Sequence, residues 1–138
     1  MLVYSEKIRV RYGETDQMGY VYYGNYALYY EQARTEMMRV LGFPYAVMEQ
    51  QGIMLPVRNF SVTYYHSASY DELLTVKVSV EKMPTAALEI KYQTYNEAGL
   101  LLNEGTTTLV FVNAATRRPC RPPQAFLDAL QNNASSNE

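Results

Sequence analysis

Hydrophobic and polar positions along the chain repeat first with a loose period of two, then with a helical period, then with a period of two again. Val3, Ile8 and Val10 stand among polar neighbours between residues 3 and 11, which predicts a first strand. Residues 13–19, GETDQMG, are rich in turn formers and interrupt it. From Asn25 to Leu41 the apolar positions Tyr26, Tyr30, Ala33, Met37 and Leu41 recur three or four apart. That spacing predicts a helix with one apolar stripe, and it puts Glu31, Arg34 and Arg39 on more polar faces. Asn25 is the expected N-cap, and Gly42 stands where a helix C-terminus favours glycine. Residues 44–51 predict a short second helix, with Pro44 in its first turn and Gly52 closing it.

The remainder reads as strands. Residues 55–66 are rich in β-branched and aromatic side chains; Leu74, Val76, Val78 and Val80 alternate with polar residues, as do Leu88, Ile90 and Tyr92. Residues 106–112 form a further β-branched run, and 96–99 (NEAG) and 82–85 (KMPT) are turn signals. Gln124 to Gln131 predicts a short terminal helix, before a polar stretch at 132–138 expected to be a disordered tail. Consecutive strands joined by short turns pair antiparallel. One long helix with one apolar stripe needs a curved sheet to cover it, so the fold class is α+β, with an antiparallel sheet around a central helix. The chain is 138 residues long, and residues 1–131 fit a single domain.

Charge and composition narrow the partners. Net charge is −2 with both signs interspersed, and no basic stripe could neutralise a run of phosphates, so nucleic acid is not an expected partner. Arg117, Arg118 and Arg121 form a small basic cluster, either a solvated turn or a contact for a ligand phosphate. The single cysteine, Cys120, precludes an intramolecular disulfide framework and fits a reducing compartment. With no apolar run of membrane-spanning length, a cytoplasmic protein off the membrane is expected. The 14 Tyr against no Trp suit half-buried surfaces such as sheet faces, pocket walls and subunit interfaces.

The segment from Tyr12 to Tyr26, YGETDQMGYVYYGNY, carries the candidate chemistry. Glu14 and Asp16 lie in a glycine-punctuated loop that runs directly into the long helix. A helix N-terminus offers unpaired N–H groups and a partial positive charge, able to hold an anion or polarise a carbonyl. A carboxylate beside it serves as nucleophile or as general base toward water. The same spacing also suits an Asp that only forms a turn or a cap.

The run RVRYGETD (9–16), continuing through VYYGNY (21–26) and EQARTE (31–36), resembles the 4-hydroxybenzoyl-CoA thioesterase family, most closely its YbgC-like acyl-CoA thioesterase branch. The likeness continues through Val62-Thr63-Tyr64-Tyr65, Asp71-Glu72-Leu73 and Asn103-Glu104-Gly105. It implies a hotdog fold, with the long helix wrapped by the sheet, and pairing of two subunits edge to edge as a homodimer or homotetramer. It also implies an acyl-CoA substrate and no cofactor besides the CoA carried in that substrate, with no metal.

The resemblance assigns Asp16 as the catalytic carboxylate, with the backbone N–H of Tyr23 or Gly24 polarising the thioester carbonyl. Many members of the branch carry His where this chain has Tyr23, a harmless exchange if the backbone N–H is what acts. Met18, Gly19, Val21 and Tyr26 are the implied substrate contacts within the motif. Arg58 joins them as a contact for the CoA phosphates, and His66 either contacts the CoA or is a strand-end residue. Glu14 is expected to be a loop residue. Hydrolysis of acyl-acyl-carrier-protein is the nearest alternative, and a non-catalytic acyl-CoA-binding protein the next. A hydratase of this fold needs a His with a carboxylate, and the one His lies outside the motif.

Overall fold

The structure is a computed structural model and describes residues 1–136, with side chains described through Asn133. Its elements are β1 (Leu2–Arg9), a 3-10 turn (Tyr12–Glu14), α1 (Asn25–Val40), α2 (Tyr45–Gln50), β2 (Ile53–Met54), β3 (Val57–Tyr64), β4 (Leu73–Val80), β5 (Ala87–Tyr95), β6 (Leu101–Val110), β7 (Val112–Asn113) and α3 (Gln124–Ser136). Five strands form one antiparallel sheet in the order β1-β4-β5-β6-β3, and β2 pairs with β7 apart from it. The sheet wraps α1, and this is the α+β hotdog arrangement expected.

Alternation decides which face of the sheet meets the helix. Leu74, Val76, Val78 and Val80 on β4 and Leu88, Ile90 and Tyr92 on β5 are buried, while their neighbours in sequence are more exposed. The helical stripe meets that face as predicted, with Tyr26, Tyr30, Ala33, Met37 and Leu41 all buried. At the centre Tyr30 stacks flat on Tyr92, ring centroids 4.2 Å apart, and its hydroxyl donates to Asn103 Oδ1 at 2.6 Å. Gly105 on β6 makes room for this, because a Cβ there would collide with the Ser61 carbonyl and the Tyr30 ring.

Four expectations need correcting. Arg34 is buried, at 7% exposure, rather than on a polar face. It follows Tyr30 by four residues, so a stripe more than about 100° wide includes it. Its Nε donates to the Tyr45 hydroxyl at 2.8 Å and its Nη1 to the Tyr92 hydroxyl at 3.1 Å, which ties α1 to α2 and to the sheet. Sequential strands pair across the short turns of β4-β5 and β5-β6, but β3 pairs with β6 and not with β4. The connection at 65–72 instead carries the chain from one sheet edge to the strand beside the other. Pro44 is the N-cap of α2 and lies outside its first turn. Finally, α3 runs on to Ser136, so the helix does not stop at 131; residues 137–138 of the expected tail lie outside the described residues. Phe126 of α3 packs against Phe43 and Phe111. No described helix is long and apolar enough to cross a membrane.

Candidate active site

Asp16 opens a tight turn between β1 and α1. Thr15 and Val21 are bridged antiparallel, the Asp16 N–H donates to the Tyr20 carbonyl at 2.8 Å, and the Gly19 N–H returns to the Asp16 carbonyl at 3.0 Å. The chain reverses at Gly19, whose φ of 82° lies in the left-handed region that favours glycine. Tyr20 bridges Ser69, and the Val21 N–H donates to the Ala68 carbonyl at 2.9 Å, which seats the turn on the segment after β3.

The Asp16 side chain is exposed. Its Oδ1 accepts the N–H of Met18 at 2.9 Å and, at 3.4 Å, that of Tyr20. Its other oxygen has no partner among the described residues. One oxygen is therefore oriented by backbone donors while the second is left open.

Five residues past Tyr20, α1 begins. Gly24 is its N-cap and no side chain caps it. Asn25, expected to be that cap, is the first helical residue, and its Nδ2 donates to the Glu14 carbonyl at 2.8 Å. The Asn25 N–H reaches the Tyr22 carbonyl at 2.9 Å and the Tyr26 N–H the Tyr23 carbonyl at 3.3 Å. The N–H groups of Tyr23 and Gly24 have no partner among the described residues, at the positive end of a 16-residue helix. One or the other of them is the donor expected to polarise a carbonyl.

Beside them lies a small open pocket of about 260 Å³, lined by Val21, Tyr23, Tyr26, Tyr64, Tyr65, His66 and Ser67. The structure brings Val21, Tyr23, Tyr26 and His66 together around this pocket. Burial pushes the Tyr26 hydroxyl up to about 12, so it stays protonated, and it has no hydrogen-bond partner. Asp16, Met18 and Gly19 stand on the adjoining turn and do not line this pocket.

Arg58 is not brought to the site within one chain. It occupies the bulge between Val57 and Asn59, six residues from Tyr64, and about 20 Å along an extended strand separates them. The cluster Arg117, Arg118 and Arg121 is likewise distant. Arg117 reaches Met54 of β2, and Pro119 bridges Val112, both at the end of the sheet where β3 begins.

Two residues of the site carry more than their sequence suggested. Glu14, expected to be a plain loop residue, accepts hydrogen bonds from the Arg11 N–H at 2.8 Å and the Tyr29 hydroxyl at 2.9 Å. Tyr64 on β3 donates its hydroxyl to the Tyr23 carbonyl at 3.1 Å. The pair Tyr64-Tyr65 at the end of an aromatic strand was the available signal, but sequence does not show where a tyrosine hydroxyl lands.

A sheet wrapped around one long helix defines the class of a hotdog fold. Comparison with known proteins agrees. The family model of the thioesterase-like superfamily matches residues 10–130. YneP of Bacillus subtilis is 35% identical over 128 residues, 93% of either chain. The acyl-CoA thioester hydrolase YbgC of Escherichia coli is 31% identical over 120 residues, 87% of this chain and 90% of its own. A crystal structure of a DHNA-CoA thioesterase from Staphylococcus aureus superposes with a TM-score of 0.90 at 38% identity, covering 99% of this chain and 94% of that one. This chain belongs to the thioesterase-like superfamily.

Proposed function

We propose that this protein hydrolyses acyl-CoA thioesters to free acid and CoA, with Asp16 as the essential carboxylate. The observation that carries the reading is the pairing of two half-satisfied groups. Asp16 has one oxygen held by backbone N–H groups and one open, and α1 begins nearby with the Tyr23 and Gly24 N–H groups unpartnered. In the nucleophilic route the open oxygen attacks the thioester carbon, the C–S bond breaks, CoA leaves as thiolate, and water cleaves the resulting anhydride. In the general-base route Asp16 takes the proton of a water that attacks directly. In both, negative charge grows on the carbonyl oxygen, where the two N–H groups stabilise it. The reading needs no metal and no cofactor beyond the CoA of the substrate.

The acyl group belongs against the tyrosine wall of Tyr23, Tyr26 and Tyr64, which suits an aromatic acyl group of modest size. The likeness to the staphylococcal DHNA-CoA thioesterase supports the same preference.

The functional unit in this reading is a homodimer, able to pair again into a tetramer. β3 is an edge strand with exposed Val57, Phe60 and Tyr64, an arrangement that favours pairing with another strand. Two-fold antiparallel pairing of β3 with its copy sets Arg58 of the second chain toward the Tyr64 end of the first. Arg58 can then meet the CoA phosphates from across the interface.

Thiol release from short, long and aromatic acyl-CoAs, for wild type and Asp16→Ala, tests the chemistry. A loss of about a hundredfold, equal to about 2.7 kcal/mol of transition-state stabilisation, is expected. An undiminished rate in the variant overturns the role of Asp16. Light scattering tests the assembly: a mass of one 15.8 kDa chain in solution would overturn the dimer.

A further inference from the structure

We infer that Glu14 is a positioning residue that locks the Asp16 turn to the start of α1, an inference that rests on the Asp16 reading above. Glu14 lies two residues before Asp16 and touches none of the reacting groups. Its bonds instead gather the end of β1, the approach to α1 and the second turn of α1.

Oε1 takes the Arg11 N–H at 2.8 Å, which fixes the end of β1, and the Tyr29 hydroxyl at 2.9 Å, which fixes the second turn of α1. Oε2 faces the Arg11 guanidinium at 3.4 Å. The Glu14 carbonyl takes the Tyr22 N–H at 2.9 Å and the Asn25 Nδ2 at 2.8 Å, so the approach to the helix is tied to the same residue. The Glu14 side chain is only 16% exposed, and Tyr29 is 2% exposed.

Losing this acceptor has a defined consequence. The Tyr29 hydroxyl would be left as a buried donor without a partner, and only the two bonds to the Glu14 carbonyl would still hold the approach to α1 against the turn. Burial, and then the bond to Glu14, push the Tyr29 ionisation well up, so the hydroxyl remains a donor. Two donors, the Arg11 N–H and the Tyr29 hydroxyl, converge on this one oxygen. Catalysis by a carboxylate and separate N–H donors depends on their mutual placement, and a shift of about 1 Å is enough to lower the rate a hundredfold.

The test measures kcat, KM and Tm on the best acyl-CoA of the panel for Glu14→Ala, Glu14→Gln and Tyr29→Phe. Glu14→Ala is also measured in an Asp16→Asn background. The expected result is a kcat about 30- to 100-fold lower for Glu14→Ala, with KM within about threefold of wild type. Glu14→Gln, which keeps an acceptor oxygen, recovers most of that loss. Tyr29→Phe removes one bond of the set, lowers kcat by about three- to tenfold, and reports on the lock even where Glu14→Ala fails to fold. In the Asp16→Asn background Glu14→Ala changes the residual rate by less than about twofold, because there is no carboxylate left to position.

An equal loss in both backgrounds would assign Glu14 to general stability and overturn the inference. So would a wild-type kcat in Glu14→Ala or in Tyr29→Phe while Asp16→Asn is inactive, with the Asp16 reading left standing. A wild-type rate in Asp16→Asn would overturn that reading, and the inference with it.

Discussion

The Tyr64 hydroxyl donates to the Tyr23 carbonyl at 3.1 Å, and that carbonyl shares its peptide plane with the Gly24 N–H. A trans peptide is rigid, so holding its oxygen on one side aims its N–H to the other. The edge strand β3 thereby orients a donor at the start of α1, and the same bond draws electron density from the carbonyl and strengthens that donor.

Tyr64→Phe removes the bond and keeps the ring in its contacts with Tyr23 and Tyr26. The expected outcome is a kcat lower by about three- to tenfold with KM nearly unchanged, since the lost interaction matters most when charge sits on the carbonyl oxygen. Steady-state kinetics on one acyl-CoA check it. A rise in KM at constant kcat would instead make Tyr64 a simple pocket wall.

Gly105→Ala acts on the fold rather than the chemistry. The added methyl meets the Ser61 carbonyl on the neighbouring strand and the Tyr30 ring at the centre of the helix–sheet contact. Neither is the free end of a flexible chain, so β3 or α1 must move. A loss of about 2–3 kcal/mol is expected, seen in a thermal melt as a Tm lower by about 6–12 °C.

Arg34→Lys tests the tie between α1, α2 and the sheet. A lysine ammonium cannot reproduce the planar fork that meets Tyr45 and Tyr92 together. Tyr92 keeps its bond to Thr107 at 2.6 Å, so Tyr45 is the residue left without a partner. Denaturant unfolding should show a loss of about 1–3 kcal/mol with an unchanged m-value.

What sequence shows of this protein follows from the range of the interactions involved. The stripe Tyr26-Tyr30-Ala33-Met37-Leu41 and the alternation of β4 and β5 are local periodicities, and both appear in the structure as read. The pairing of β3 with β6 joins Tyr64 to Asn103 across a long stretch of chain, and no local pattern encodes it. Arg34 reads as a surface residue in the sequence because a charge counts as polar until its two tyrosine partners are known. The motif around Asp16 located the turn and helix start. The roles of Glu14 and Tyr64 depend on hydrogen bonds to Tyr29 and Tyr23, which only the folded chain brings within reach.

The buried tyrosines make stability fall at alkaline pH. Tyr26 is pushed up to about 12 by burial, with Tyr64 and Glu72 adding to the effect. Tyr30 is raised further, again chiefly by burial. In the unfolded chain these phenols ionise near their ordinary value of about 10. Below that pH both states hold the proton, and the tyrosines' contribution to stability is fully present. Between about 10 and 12 the unfolded state releases protons that the folded state retains, so stability declines as pH rises. The expected observation is a progressive fall in Tm above pH 10, with tyrosinate absorbance in the folded protein lagging that in denaturant. Tyr26→Phe should reduce the slope, because one retained proton is removed from the balance. An equal slope in wild type and Tyr26→Phe would show that Tyr26 ionises alike in both states.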